Sequence, residues 1–163
     1  MADPKGLQEL FTETLKDIYF AERQILKALP KMAREAKSSE LKQAFETHRE
    51  QTETHVERLQ QVFDIVSKPA RGKTCDAILG IIEEGKEVIA DFGGSPALDA
   101  GLVSSAQAVE HYEIARYGTL KNWAGQLGLN EAVKLLDLTL QEEIKTDQLL
   151  SKLASQKVNT RAA

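Results

Sequence analysis

Apolar residues recur at three- and four-residue intervals through four stretches of the chain, each more than twenty residues long, and that period is the period of a helix. In the first stretch Leu7, Phe11, Leu15, Ile18, Ile25 and Leu29 share one face. Asp3-Pro4 offers a cap and a first-turn proline, so the predicted helix spans about 4–36, with Pro30 a place for a kink or an early stop. Ser38 or Ser39 can cap a second helix over about 39–67, striped by Leu41, Phe45, Leu59, Val62, Phe63 and Val66. The run Lys68-Pro69-Ala70-Arg71-Gly72 breaks the pattern, and a shorter segment over about 74–92 carries Ile78, Leu79, Ile82, Val88 and Ile89 on one side.

Gly93-Gly94-Ser95-Pro96 reads as a loop. After it Leu102, Ala106, Val109, Leu120 and Ala124 mark a helix over about 97–126, ended by Gly128. Asn130 can cap the last helix, over about 130–155, which carries Val133, Leu136, Leu140, Ile144 and Leu150; the polar tail 156–163 is expected to fray. Two long helical hairpins joined by a link with a helix of its own predict one all-α domain over 1–163, a four-helix bundle with a crossover helix, five helices in all.

Several function classes recede on composition. The net charge of -4 is spread over both signs, with no polybasic block and no aromatic stripe to stack bases, so nucleic acid is not an expected partner. No run approaches the ~18 apolar residues of a membrane span, and the first residues lack a secretory pattern, which makes the cytoplasm the expected location. Cys75 is the sole cysteine, read as a packing residue, and no Ser or Cys sits in a nucleophile elbow.

The polar residues inside the apolar stripes carry the functional signal. At about 100° per residue, Glu22 falls in the middle of the face made by Phe11, Ile18, Ile25 and Leu29. His48, Thr52 and His55 occupy the centre of the second stripe, with Gln51 at its edge and Glu50, Glu53 and Glu57 towards solvent. Glu113 is central on the fourth segment, Glu110 lies a little to one side, Tyr117 a turn beyond, and His111 points out. On the last helix Glu143 and Asp147 align with Leu136, Leu140 and Leu150, while Glu142 falls on the opposite face.

Five inward carboxylates, Glu22, Glu110, Glu113, Glu143 and Asp147, thus accompany two inward imidazoles, His48 and His55. Burying an unpaired charge costs several kcal/mol even after relaxation, and only Arg116, at the edge of its stripe, offers a nearby cation. Metal ions resolve the imbalance. Carboxylate oxygen mixed with imidazole nitrogen suits two ions about 3.5 to 4 Å apart, iron first, with manganese or zinc as further choices. Simpler readings stand beside this one: Glu110 as an edge residue reaching for water, His55 as a core histidine bonded to Glu22 or a carbonyl, Tyr19 and Tyr117 as packing residues.

The runs Tyr19-Phe20-Ala21-Glu22, His48-Arg49-Glu50-Gln51-Thr52, Glu110-His111-Tyr112-Glu113-Ile114-Ala115 with Tyr117-Gly118, and Glu142-Glu143 with Asp147 resemble the YciF/YciE-like family of ferritin-like bacterial stress proteins. The resemblance extends from about Leu7 to Leu153. It implies a ferritin-like bundle of five helices, a dimetal centre, a homodimer and a role in general stress. The sequence departs from the wider ferritin-like Glu-x-x-His pattern: Phe45 precedes His48 by three, Thr52 precedes His55 by three, and Thr146 follows Glu143 by three. Gln51 is a possible stand-in for a carboxylate.

Two functions follow as expectations. In the first, a dimetal-carboxylate protein binds iron or manganese and oxidises Fe(II) with oxygen or peroxide; Glu22, Glu113 and Glu143 are the main ligands, His48 the leading nitrogen ligand, and Asp147, Glu110 and His55 ligands or groups that orient them. In the second, a non-catalytic helical dimer serves as a stress-associated structural or interaction protein, its inward polar groups bonded to one another and to water.

Overall fold

The computed structural model describes residues 3–163, and all of its regular structure is helical. Five main helices follow one another: α1 (Leu7–Glu35), α2 (Ser39–Ile65), α3 (Asp76–Phe92), α4 (Leu98–Gln126) and α5 (Asn130–Leu153). A single wide turn, Ala154–Val158, and a last helical turn, α6 (Asn159–Ala162), prolong α5.

Helix boundaries lie within a few residues of the pattern, and their caps explain the differences. α1 begins at Leu7 because the Glu9 carboxylate accepts from the Gly6 backbone N–H at 2.7 Å, so the Asp3-Pro4 pair is not its cap. Pro30 neither stops α1 nor shortens it; the helix continues to Glu35. Ser38 caps α2 through an acceptor bond from the Leu41 N–H at 3.3 Å. Asp99, in the first turn of α4, accepts from the N–H groups of Lys37 and Ser38 at 2.8 and 2.7 Å and ties the α1–α2 turn to the second hairpin. Asn130 is the first residue of α5 and caps nothing; Gly128, at a φ of +73°, makes the turn that a residue with a Cβ would strain.

Each of the four long helices packs against two others: α1 on α2 and α4, α5 on α2 and α4. Polar contacts fix their senses. Between α2 and α5 the pairs His55 with Glu142, Arg58 with Thr139 and Gln51 with Thr146 run in opposite directions, as do Gln107 with Asp147 and Lys121 with Asp137 between α4 and α5. Neighbours are therefore antiparallel, and the crossover through α3 is what lets α2 and α4 run the same way. α3 lies outside the four, on α4 and α1. Its approach to α4 depends on Gly101, where an added Cβ would stand 2.5 Å from a methyl of Val88.

Phe11, Leu15, Ile18, Phe45, Phe63 and Leu120 are at most 2% exposed and fill the bundle on either side of the polar residues described below. Each such side chain contributes about 1.5–3 kcal/mol on burial, which is how the core tolerates polar groups at its middle. The last residues stay helical, with Val158 buried and Lys157 paired with Glu40 at the start of α2. No helix among the described residues is long and apolar enough to cross a membrane.

Two glycines make a controlled comparison. Gly101→Val should lower unfolding free energy in urea by about 1–3 kcal/mol, because the added methyls meet Val88. Gly80→Ala, where nothing lies within 4 Å of the new Cβ, should raise it by up to ~1 kcal/mol through helix propensity.

Candidate metal centre

Every long helix contributes a polar side chain to one point in the bundle. Glu22 comes from α1, His48 and His55 from α2, Glu110 and Glu113 from α4, and Glu143 from α5. The seven residues between the two histidines are two helical turns, so both rings face the same way, and the three between Glu110 and Glu113 put both carboxylates on one side of α4. All six are buried, none more than 4% exposed.

They fall into two groups that share one residue. His48, Glu110, Glu113 and Glu143 each bring a ligand-type atom within 4.8 Å of the others, and so do Glu22, His55 and Glu143. Glu143 therefore stands between the groups, one oxygen 2.8 Å from His55 Nδ1 and the other 3.8 Å from His48 Nε2. His48 Nε2 is also 2.8 Å from a Glu110 oxygen, and His55 Nδ1 is 3.7 Å from a Glu22 oxygen.

These short distances are not hydrogen bonds. His48 Nε2, His55 Nδ1, both oxygens of Glu113 and Glu143, and one oxygen each of Glu22 and Glu110 have no aligned partner although they are sealed from water. Nearly all buried polar atoms in proteins are paired, so such a concentration of orphans demands a cause. Atoms that aim at a common point rather than at one another have this geometry. Ligands about 2.1 Å from one ion stand roughly 3.0–3.4 Å apart, and the separations here, 2.8 to 3.8 Å, span that range.

Charge gives the same answer. Four carboxylates carry four negative charges in the buried cluster, and two divalent ions with neutral imidazoles would balance them. Without ions, protons must serve. Burial, and then the neighbouring carboxylates, push Glu113 well above the usual carboxylate range. Burial raises Glu110 to about 7, and burial together with Glu110 raises Glu143 to about 8. Burial disfavours charge on His55, but Glu143 and Glu22 outweigh it and hold the ring protonated up to about 11. For Glu22 burial is likewise outweighed, by His55, Glu113 and Tyr117, and its pKa is lowered.

The surroundings orient these side chains. Tyr117, fully buried, donates to a Glu22 oxygen at 2.8 Å. His55 Nε2 lies 2.7 Å from Glu142, whose two oxygens are clasped by the Arg58 guanidinium at 2.9 and 3.0 Å. An ionised carboxylate only accepts, so Nε2 carries a proton; when the ring gives up its other proton, the Nδ1 lone pair faces Glu22 and Glu143. Metal-binding histidines are commonly held in this way.

The structure brings together six of the seven residues singled out in the sequence. Asp147 is the exception: partly exposed, it accepts from Gln107 at 3.1 Å and lies 3.2 Å from His111 on the α4–α5 seam, away from the cluster. Glu142, assigned from the helical wheel to the opposite face of α5, instead meets His55 and Arg58. Its sequence signal was weak, since it flanks the stripe, and only the closeness of α2 makes it count. Gln51 accepts from Thr146 at 3.4 Å. Thr52 donates to the His48 carbonyl at 2.7 Å. Cys75 is buried, its sulfur 3.0 Å from the Tyr112 hydroxyl and accepting from the Ile78 N–H at 3.4 Å.

The same chain matches the model of the domain of unknown function DUF892 over residues 6–163. It belongs to that family. Among curated relatives of the family, protein YciF of Escherichia coli K12 is 44% identical over 159 residues, which cover 97% of this chain and 96% of YciF. The crystal structure of that E. coli stress protein superposes with a TM-score of 0.91 at 43% identity, covering 96% of this chain and 99% of the other. YcfI from Rhodopseudomonas palustris, described as a candidate structural protein, gives a TM-score of 0.88 at 44% identity over 91% of this chain and 95% of its own. A protein from Xanthomonas campestris pv. campestris, at 24% identity over 95% of each chain and a TM-score of 0.73, shares the fold. The resemblance read from the sequence and the five-helix bundle both hold for this DUF892 member.

The raised acids set a pH dependence for the metal-free protein. Folded Glu110, Glu113 and Glu143 hold protons that the unfolded chain releases above about 4.5, so the stability they contribute is lost as pH rises towards about 8. His55 adds loss in the same direction from 6.5 up to about 11. Glu22 and Glu142, both lowered, contribute fully above the carboxylate range and leave this window unchanged. With chelator present, the melting temperature should fall between pH 6 and pH 8.5. Metal ions bound at the cluster would displace those protons, and on that basis the rise in melting temperature on adding Mn(II) should be larger at pH 8.5 than at pH 6.

Proposed function

We propose that this chain is a dimetal-carboxylate protein of the bacterial stress response, binding two ions, iron first and manganese or zinc as alternatives, between its four long helices. The supporting observation is the set of buried, unpaired donor atoms in two groups that share Glu143. His48 Nε2, Glu110 and Glu113 would hold one ion, His55 Nδ1 and Glu22 the other, with Glu143 bridging. The stress role is taken from the relative named as a stress protein.

Bound iron would supply one-electron chemistry for oxidising Fe(II) with oxygen or peroxide. The residues do the rest. Tyr117 and Glu142 hold Glu22 and His55 in place, and apolar layers pack around the cluster. The missing Glu-x-x-His spacings leave each histidine without a carboxylate three residues before it on α2, so the ligand set is asymmetric, richer in carboxylate on the His48 side.

Metal-free protein titrated anaerobically with Fe(II) should take up close to two ions per chain and consume oxygen once air is admitted. Glu143→Ala should abolish tight binding of both ions, and Glu22→Ala should remove one while leaving a helical protein.

A second reading has its own support, since one relative is described as a candidate structural protein. On that reading the cluster is a protonated hydrogen-bonded network within a homodimer. Protein purified without chelator would then carry no metal, and its melting temperature would ignore added Fe(II), Mn(II) and Zn(II), whereas ligand at 100 times its Kd adds about 2.7 kcal/mol of stability.

A further inference from the structure

An apolar cavity of 120 Å³ is lined mainly by α1, α3 and α4, with α2 and α5 completing it, and it reaches His48 and Glu110 of the buried cluster. Its walls are Ile25, Leu29, Phe45, Ile82, Ile89 and Val109, and its inner end is closed by His48 and Glu110. Native cores leave few voids larger than a water molecule, and an apolar one stays dry. This volume is slightly below the ~150 Å³ of an apolar cavity that takes up one benzene molecule.

The cavity is not the route by which ions arrive. A second, more polar space of 450 Å³ opens between α2 and α5, lined by Glu40, Gln43, Thr47 and Gln51, and reaches His48 from the other side. Ala44, His48 and Thr146 border both spaces. An ion passing through hydrocarbon walls would lose its hydration with nothing to replace it, so on the dimetal reading the polar side is the one that would serve the metals. The apolar side is left for a different molecule.

The rim of the cavity says which. Lys27 and Lys31 lie one turn apart on α1, exposed and without an ion pair among the described residues, and Lys86 stands at the rim on α3, paired with Glu83 at 3.6 Å. Like charges one turn apart repel, and an anion between them relieves the repulsion. The acids at the inner end would reject the same anion.

We propose that the cavity binds a small amphiphilic anion, its apolar body of about one aromatic ring inserted towards His48 and Glu110 and its charged head held at Lys27, Lys31 and Lys86. This deepens the dimetal reading, on which it rests only for the closeness of ligand and metal. The molecule lies head outward, so its apolar end is the part presented to the centre.

Phenylacetate and toluene serve as the anionic and neutral probes, with binding followed by ligand-observed NMR on the full chain. Metal-free protein should bind both saturably, phenylacetate at least tenfold more tightly. The Lys27→Ala/Lys31→Ala double variant, changed only at exposed positions, should remove that preference and leave toluene unaffected. Ser105→Leu and Ala28→Leu, which fill the cavity from two different helices, should each weaken both probes at least tenfold while keeping the wild-type helical spectrum. In protein loaded with Mn(II) and not with Zn(II), the ring protons of bound phenylacetate should broaden. No saturable binding, equal affinity for the two probes, binding that requires metal, or indifference to both filling variants would overturn the proposal. Failure to load Mn(II) would count against the dimetal reading alone, because probe affinity is measured separately in metal-free protein.

Discussion

Four carboxylates meet inside a space that four helices close to water, and their mutual repulsion must be met by cations or by protons. The other features of the bundle follow from how that is done. Burial penalises the charge of each group: it raises Glu110 to about 7, with Glu110 alongside it raises Glu143 to about 8, and with the neighbouring carboxylates it holds Glu113 well above the usual carboxylate range. A bundle of this size filled with leucine at the same positions would fold with less difficulty. The cost is tolerable because apolar layers containing Phe11, Phe45, Phe63 and Leu120 flank the polar centre, so packing supplies the stability that the centre withholds.

The centre is also fixed from outside. Arg58 holds Glu142, Glu142 holds His55, and His55 thereby offers a single defined nitrogen to Glu22 and Glu143. Tyr117 does the same for Glu22 from α4. These contacts run through all four long helices, so their alignment and the position of the donors are one property. The crossover helix α3 enters this arrangement from the side: by seating on α1 and α4 next to Gly101 it walls an apolar cavity against His48, which the α2–α5 groove reaches from its polar side.

Much of this was legible in the sequence because a helix converts spacing into direction. The stripes containing Phe11, Phe45 and Leu140 located the helices and, with them, the inward placement of Glu22, His48, His55, Glu113 and Glu143. Errors arose where direction alone does not decide. Asp147 shares the stripe of Glu143, but its short side chain is taken up by Gln107 and His111 at the α4–α5 seam. Glu142 points away from the bundle axis and still reaches α2, because a flanking position on one helix faces its neighbour. The cap of α1 was misplaced because Glu9 reaches back to Gly6, a contact that a search for the usual capping residues at Asp3 passes over. The cavity left no trace in the pattern, since a void is a property of several helices together.

The central claim is that two ions share Glu143. A crystal grown from metal-free protein and soaked in Mn(II), with data collected at the manganese absorption edge, measures it directly. Two anomalous peaks within about 4 Å of each other are expected, with Glu143 bound to both, His48 to one and His55 Nδ1 to the other. No peak among these residues, or a single peak touching neither histidine, would contradict it.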